Sequence, residues 1–247
     1  MMLEKVISER QTDWSVYFLI SRIWGYEVVL VSSGAIAVGR NKLNMTSKPD
    51  SMRMKQAAAA VGQCSLMYLY DKFFGDYDKT VAQILLNAED IEQEEKKENL
   101  INTFNALLEM GVIPIVNEND SVSYKEIESE DRLFGDNDML SAVVAVLCRA
   151  RHLVILSDID GFYDHDPRLY PNAKLIEQID TIDDSVYALA GGAGSRRGTG
   201  GMRTKLQAAA LATSQGTDTI VTNGKHPEAL YDIVKGLHAG TLFPGKI

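Results

Sequence analysis

The residues best suited to chemistry lie between Gly191 and Lys205, in the run GGAGSRRGTGGMRTK. This run holds six glycines, three arginines and one lysine, and it has no carboxylate. Glycines let successive backbone N–H groups point at one anion, while Arg196, Arg197, Arg203 and Lys205 supply positive charge. The helical pattern TKLQAAALATSQG predicts a helix starting at Lys205, whose N-terminus favours a phosphate. A nucleoside triphosphate site is therefore the leading hypothesis.

Two polar turns follow predicted strands in the first half of the chain. In VVLVSSGAIAVG, the hydroxyls of Ser32 and Ser33 can donate to and accept from a ligand, and Gly34 lets backbone N–H groups approach a carboxylate or phosphate. In NENDSV, Asp120 could pair with a substrate ammonium, with Asn117 and Asn119 as neutral donors and acceptors. Serine is also a common helix N-cap, and Asn and Asp are ordinary turn residues, so each turn alone also fits a structural role.

Acidic residues mark two turns in the second half. In FGDNDMLSA, Asp136, Asn137 and Asp138 precede an apolar helix. Capping that helix needs one polar side chain and three are present, which weakens a purely structural explanation. In LSDIDGFYDHDP, Ser157 and Asp158 follow an apolar strand. This loop lacks the distal glutamate of an EF-hand, so a nucleotide-contacting loop or a plain turn fits better than a calcium site.

Composition limits the classes of partner. The formal net charge of −9 excludes general binding to nucleic acid or to an anionic membrane surface, because both need a basic face. The apolar stretch 14–24 is too short to span a bilayer, and no signal-peptide pattern precedes it. Cys64 and Cys148 lie in apolar helical sequence and are predicted to be buried free thiols. We therefore expect a cytoplasmic protein.

The elements that must position these residues alternate along the chain. Four β-rich runs, EVVLVSS, GVIPIVNEN, HLVILSD and DTIVTNG, are interspersed with helical patterns, which predicts an α/β fold with a mostly parallel sheet. The turns SSGA, NEND and SDIDG follow strand ends, where open α/β sheets bind ligands, so we expect the three loops to converge on one edge of a cleft. The predicted helices are Met54–Phe74, Asp90–Met110, Asp138–Arg149, Lys205–Gln215 and Pro227–Gly236.

The motif order SSGAIAVG, IPIVNEND, FGDNDMLSA, VILSDIDGFYDHDP, GTGGMRTKLQAA and GTLF resembles the amino acid kinase family, and within it the glutamate 5-kinases. The likeness extends from Glu27 to Phe243, and FGDND together with GTGGMxTK is specific. It implies a carbamate kinase-like α/β fold, a three-layer sandwich around a central mostly parallel sheet. It also implies one domain over 1–247, with an amino-acid lobe at about 1–150 and a nucleotide lobe at about 151–247.

The resemblance further implies a reaction and its residues. ATP, with Mg²⁺, would phosphorylate the γ-carboxylate of L-glutamate in the first step of proline biosynthesis, with Lys205 as the transition-state lysine and Asp138 as the acid that orients it. A homo-oligomer and feedback inhibition by proline are also implied, and no metal-ligating residue is assigned. Amino-acid binding falls to Ser33, Gly34, Asp120 and Asn137, and nucleotide binding to Ser157, Asp158, Thr199, Gly200, Gly201, Met202, Arg203, Thr204 and Lys205.

The two ends and one insert depart from the family pattern. The family opens with a Lys-x-Gly-Ser or Lys-x-Gly-Thr loop after an apolar strand, and MMLEKVISERQTDW has none, since Lys5 is not followed by glycine and a hydroxyl. We expect either that the true N-terminus is missing from this sequence or that the opening segment of the family has been replaced. The sequence stops after GTLFPGKI, so we expect no C-terminal PUA-type, RNA-modification-like domain. The charged insert 123–133 is expected to be a mobile loop over the amino-acid site.

Three other functions are open at the level of sequence. The first is another kinase of the same fold, acting on N-acetylglutamate, aspartate, a nucleoside monophosphate or isopentenyl phosphate. Asp120 beside Asn137 favours a free amino acid with an ammonium group. The second is a non-catalytic relic that senses a ligand, motivated by the missing lysine loop. The third is an unspecialised α/β domain whose polar loops are turns.

Overall fold

A computed structural model of the chain describes residues 26–122, 137–190, 199–226 and 228–246. The chain divides into two compact units, with the boundary between Asn137 and Asp138. The elements before the boundary are β1 (Leu30–Val31), α1 (Ala35–Lys42), α2 (Met52–Gly75), β2 (Val81–Leu86), α3 (Ala88–Glu92), α4 (Glu94–Glu109) and β3 (Ile113–Glu118). From the boundary onward they are α5 (Asn137–Leu147), β4 (His152–Ser157), β5 (Phe162–Tyr163), β6 (Leu175–Ile176), α6 (Asp184–Ala190), α7 (Thr199–Ser214), β7 (Asp218–Asn223), α8 (Ala229–Val234) and β8 (Thr241–Phe243).

The sheet of the first unit is parallel, with β3 between β1 and β2. Five of the six residues of β3 are buried, as expected for a parallel strand covered on both faces. Ile113 and Ile115 pack with Phe74 of α2 in the core of this unit. Because the strands are parallel, the turns that follow them lie at one edge of the sheet, as predicted for SSGA and NEND.

Helices α1 and α2 cross at two glycines. A Cβ atom at Gly39 would overlap the carbonyl oxygen of Ala58, and one at Gly62 would overlap the carbonyl oxygen of Ala35. No side chain larger than hydrogen fits at either position unless the backbones separate. The crossing therefore holds the start of α1, which follows the SSGA turn, against the middle of α2.

The second unit is built on a sheet of order β4-β7-β8, in which β4 and β7 are parallel and β8 is antiparallel. Ala208 and Ala209 are fully buried, and these small side chains let α7 approach its neighbours closely. In the same core, the rings of Phe162 and Phe243 meet edge to face at 6.5 Å between centroids.

The four predicted strands are all present, although the first is reduced to β1. Strand β2, with sequence VAQILL, is absent from the predictions. It is a short apolar run whose periodicity fits a buried strand and a buried helical segment equally well. Its pairing with β3 decides between them. The short strands β5, β6 and β8 are also absent from the predictions.

Two helix predictions are wrong at their boundaries. Helix α7 begins at Thr199, six residues before the predicted start at Lys205. The N–H groups of the first helical turn have no intrahelical partners wherever a helix begins. Met202 packs against the core, and this contact favours a helix that begins at Thr199. The TGGMRT segment, from Thr199 to Thr204, is therefore the beginning of the helix and not a loop before it. The predicted helix Asp90–Met110 is interrupted at Gln93, whose backbone is extended.

One cysteine departs from its predicted environment. Both cysteines are free, but Cys64 is exposed and Cys148 is half-buried. The surrounding run AAAAVGQCSLM is apolar or small on every face, so the pattern could not show which side of α2 is covered. Burial raises the pKa of the Cys148 thiol to about 12. Within the described ranges, no helix combines the length and the apolar character needed to cross a bilayer.

Candidate active site

The SSGA turn begins the carboxyl edge of the first sheet. Gly34 has a φ of 92°, in the left-handed region that favours glycine, and it is the N-cap of α1. Ser33 and Gly34 are exposed, whereas Ser32 is buried and its hydroxyl lies 3.0 Å from the hydroxyl of Tyr70. Ser32, which the sequence predicted to contact a ligand, is thus buried and engaged with Tyr70 instead. Ser33 is in a solvent-accessible position just before the N-cap of α1, where a ligand can reach it.

A cleft of about 430 Å³ opens beside this turn, within the first unit. Its acidic residues are Glu118 and Asp120, at and just after the end of β3. None of the twelve lining residues is lysine or arginine. A ligand carboxylate in this cleft would therefore meet neutral donors among these residues. The lining residues are Ala35, Ala59, Ala60, Gln63, Cys64, Met67, Gln83, Leu85, Glu118, Asn119, Asp120 and Ser121.

Asn117, expected to contact a ligand, is instead buried and used for support. Its Nδ2 donates to Oε1 of Gln63 at 2.9 Å, and its Oδ1 accepts from the backbone N–H of Glu118 at 2.9 Å. Asn119 Oδ1 accepts from the hydroxyl of Ser121 at 2.7 Å. The two asparagines therefore shape the turn that carries Asp120, which is half-buried in the cleft lining.

In the second unit, Asp138 and Lys205 form an ion pair of 2.8 Å between Oδ2 and Nζ. The side chains are 18% and 15% exposed, so the pair is mostly shielded from water. The hydroxyl of Thr204 donates to the same Oδ2 at 3.1 Å. These contacts hold an ammonium group at one place in the second turn of α7, where it can neutralise an anion.

The loop after β4 carries the other predicted nucleotide residues. Ser157 Oγ lies 3.4 Å from Oδ1 of Asp158, and Asp158 pairs with Arg168 at 3.4 Å in an exposed position. Further along, Asp160 accepts from Asn223 Nδ2 at 2.7 Å and from Tyr163 at 3.0 Å. These two hydrogen bonds favour the charged carboxylate and lower the pKa of Asp160. They tie the loop after β4 to the end of β7.

Comparison with known proteins identifies the family. The model described as "Amino acid kinase family" matches residues 17–223, most of the chain. The chain belongs to the amino acid kinase family. A protein named glutamate 5-kinase from Clostridium perfringens (strain 13 / Type A) is 56% identical over 222 residues, which cover 90% of this chain and 82% of that protein. Another, from Listeria innocua serovar 6a, is 49% identical, covering 90% and 80%.

Solved structures support the fold of the family. Carbamate kinase from Giardia lamblia bound to AMP-PNP matches with a TM-score of 0.65 at 16% identity, covering 97% of this chain and 90% of that chain. The T. acidophilum isopentenyl phosphate kinase product complex matches at 0.59 and 18% identity, covering 93% and 90%. At these identities the likeness concerns the fold, which agrees with the predicted α/β architecture.

The residues predicted from the amino acid kinase resemblance divide between the two units. Ser33, Gly34 and Asp120 lie at one edge of the first sheet, and Asn137 is the first residue of α5. In the second unit, Arg203 is exposed and lies over the ring of Tyr187 at 5.8 Å. The side chains at 199 and 200, the residues Asp136, Arg196 and Arg197, and the insert 123–133 are outside the described residues. The run from Thr199 to Lys205, with Gly200, Gly201, Met202, Arg203 and Thr204 between, forms the first turns of α7.

Three residues near these sites, Gln63, Asn223 and Tyr163, were missed by sequence reasoning. Gln63 is a polar residue in the apolar run AAAAVGQCSLM, and that break in the pattern was the available signal. Asn223 and Tyr163 hold Asp160, but strand-end asparagine and tyrosine are common and carry no such signal. Within the described ranges, no group of three His, Cys, Asp or Glu side chains is arranged to hold a metal ion.

Proposed function

We propose that this chain transfers the γ-phosphoryl group of ATP to the γ-carboxylate of L-glutamate, giving L-glutamyl 5-phosphate and ADP as the first step of proline biosynthesis. The observation that carries the proposal is the 56% identity, over 90% of the chain, to a protein named glutamate 5-kinase. The relatives cover the chain on both sides of the boundary between its units, so they include both proposed binding regions.

The residue chemistry supports a reaction without a general base. An unperturbed glutamate carboxyl has a pKa of about 4.3, so the attacking oxygen is already ionised at pH 7. The barrier comes from repulsion between this oxygen and the triphosphate, which fixed positive charge must offset. Lys205, held by Asp138 at 2.8 Å, supplies such a charge. No catalytic histidine is required.

For the amino acid, we assign the ammonium group to Asp120 and the carboxylates to neutral donors. The described residues that line the cleft support this assignment, because they include two carboxylates and no basic side chain. Ser33 offers a hydroxyl, and Gly34 precedes the free N–H groups at the start of α1. Asn137 adds an amide that can donate and accept.

For the nucleotide, we assign Ser157, Asp158 and the first turns of α7. The first N–H groups of α7, from Thr199 to Met202, have no intrahelical partners and favour an anion. Mg²⁺ enters bound to ATP as part of the substrate. Mg²⁺ commonly keeps several waters and uses few protein ligands beside the substrate phosphates.

We further propose a cytoplasmic homo-oligomer inhibited by proline. These properties follow from the family resemblance and are tested separately from the reaction. Gel filtration with light scattering measures the oligomer. A proline titration of the initial rate measures inhibition, and a rate that proline leaves unchanged would remove this part of the proposal.

The reaction is tested by a coupled ADP-release assay with MgATP and a panel of acceptors. L-glutamate should give the highest kcat/KM, above aspartate, N-acetylglutamate and isopentenyl phosphate. Hydroxylamine should trap the acyl phosphate as a hydroxamate. A higher kcat/KM for another acceptor would assign a sister kinase. ATP binding by calorimetry without turnover on any acceptor would favour the non-catalytic relic.

A further inference from the structure

The side chain of Gln63 has a hydrogen-bonding group with no partner. Gln63 is 8% exposed and lies in the lining of the cleft, so it stands at the base of that cleft. Its Oε1 accepts from Asn117 Nδ2 at 2.9 Å. Its Nε2 is buried, and no acceptor in the part of the chain that the structure describes bonds to it. Leaving a buried donor unsatisfied is unfavourable, so an acceptor that reaches it is stabilised.

The orientation of this amide is set by its neighbours. The backbone N–H of Glu118 donates to Asn117 Oδ1 at 2.9 Å, which leaves Asn117 Nδ2 pointing at Gln63. A reversed Gln63 amide would bring two N–H donors together. Gln63 must therefore present Oε1 to Asn117, and its Nε2 is the free group.

The charge of the cleft indicates which ligand group this donor fits. Glu118 and Asp120 are in the lining, and no lysine or arginine is among the lining residues that the structure describes. These acids would repel the carboxylates of a bound amino acid, so hydrogen bonds from neutral donors must offset that repulsion. An amide N–H is such a donor, and hydrogen bonds to charged groups are stronger than those between neutral groups.

We propose that Gln63 Nε2 donates a hydrogen bond to a carboxylate oxygen of the amino acid that binds in the cleft, and so contributes to substrate specificity. The proposal rests on the proposed function for the identity of that amino acid. Because Nε2 is covered in the unliganded chain, a neighbour must move for the ligand oxygen to reach it. Met67, one helical turn along α2 and in the same lining, is a flexible side chain suited to that movement.

Gln63→Glu is the sharpest variant for testing this role. The introduced carboxylate keeps an acceptor for Asn117 but replaces the donor with a negative oxygen. We expect the KM for L-glutamate to rise about tenfold to a hundredfold, with the KM for ATP unchanged. Calorimetry should give the same loss in affinity for L-glutamate alone. Gln56→Glu, on the same helix but outside the cleft lining, is the matched control and should bind L-glutamate normally.

A pH profile separates donation from a structural effect. When the introduced carboxyl is protonated it regains an O–H donor, so the excess in KM over the wild type should shrink as pH falls. A wild-type chain that phosphorylates L-glutamate while Gln63→Glu keeps normal KM and affinity would overturn the proposal and leave the proposed function standing. A wild type that binds L-glutamate without turnover would defeat the function alone, and calorimetry would still test Gln63. A wild type that binds no L-glutamate would overturn both.

Discussion

Oδ2 of Asp138 accepts hydrogen bonds from both Lys205 Nζ, at 2.8 Å, and Thr204 Oγ1, at 3.1 Å. One carboxylate oxygen thus holds two consecutive residues of α7 that lie 66 and 67 positions away in the sequence. A lysine held in this way keeps its ammonium group in place before the anion arrives. This arrangement is what electrostatic stabilisation of a phosphoryl group requires.

The first prediction concerns this ammonium group. Lys205→Ala should leave ATP binding measurable by calorimetry and lower kcat by about 10²-fold or more, because one charged contact to the transferring group is lost. Asp138→Asn should also lower kcat, since Lys205 is no longer held by a charge. Lys235→Ala removes an exposed lysine of the same unit and serves as the control. Near-normal turnover of Lys205→Ala would contradict the assignment.

The second prediction concerns Asp120 and the ammonium group of the substrate. Asp120→Asn keeps the size of the side chain and removes its charge, so the KM for L-glutamate should rise about tenfold to a hundredfold. Glutarate has the same carboxylates but no ammonium group. Its inhibition constant, measured against L-glutamate, should change much less in the variant. An equal effect on both ligands would show that Asp120 does not contact the ammonium group.

The third prediction uses Cys64 as a reporter of the cleft. The Cys64 thiol is exposed in the cleft lining, whereas burial raises the pKa of Cys148 to about 12 and keeps that thiol unreactive. Iodoacetamide should therefore modify Cys64 first, and saturating L-glutamate should slow the reaction. Mass spectrometry of the labelled peptides measures both rates. If L-glutamate leaves the rate unchanged, the amino acid binds elsewhere; Cys64→Ser should abolish rapid labelling.

The fourth prediction tests the crossing of α1 and α2. Gly62→Ala would place a methyl group on the carbonyl oxygen of Ala35, so it should destabilise the fold by about 1–3 kcal/mol or more. Gly75→Ala, in the same helix, meets no atom within 4 Å and should be neutral or slightly stabilising. Urea denaturation of both variants measures the difference. Equal stabilities would mean that the helices do not approach as described.

The fifth prediction concerns His152 and acid stability. Burial lowers the pKa of His152 below 6.5, with Arg151 adding to the effect and Asp218 opposing it. Between the two pKa values the folded state binds fewer protons than the unfolded state, so stability rises with pH. The contribution of His152 to the stability of the folded state is complete above pH 6.5 and is lost as pH falls below that value. His152→Gln should therefore show a smaller drop in Tm between pH 7.5 and 5.5, and an unchanged drop would contradict the shift.

Local sequence was sufficient to predict the strands at β3, β4 and β7 and the chemical character of the turns after them. Apolar runs ending in Ser, Asn or Asp carry that information within a few residues. The position of Lys205 in a glycine-rich cationic run predicts an anion site, and this stays a prediction. Strand β2 could not be predicted in this way, because its six residues, five of them apolar, fit a strand or a helix until β3 pairs with them.

The sequence by itself determined the α/β pattern, the family and the residue types available for chemistry, since these depend on neighbouring residues and on motif order. Tertiary structure alone decided that Cys64 is exposed and that Gln63 has a free amide donor. It also gave the contact between Asp138 and Lys205, which only the family resemblance had implied. Each of these depends on atoms from segments distant in the chain; Gln63 and Asn117 are separated by 54 positions. Periodicity cannot report such contacts, because the orientation of a polar side chain is set by the partner that folding brings to it.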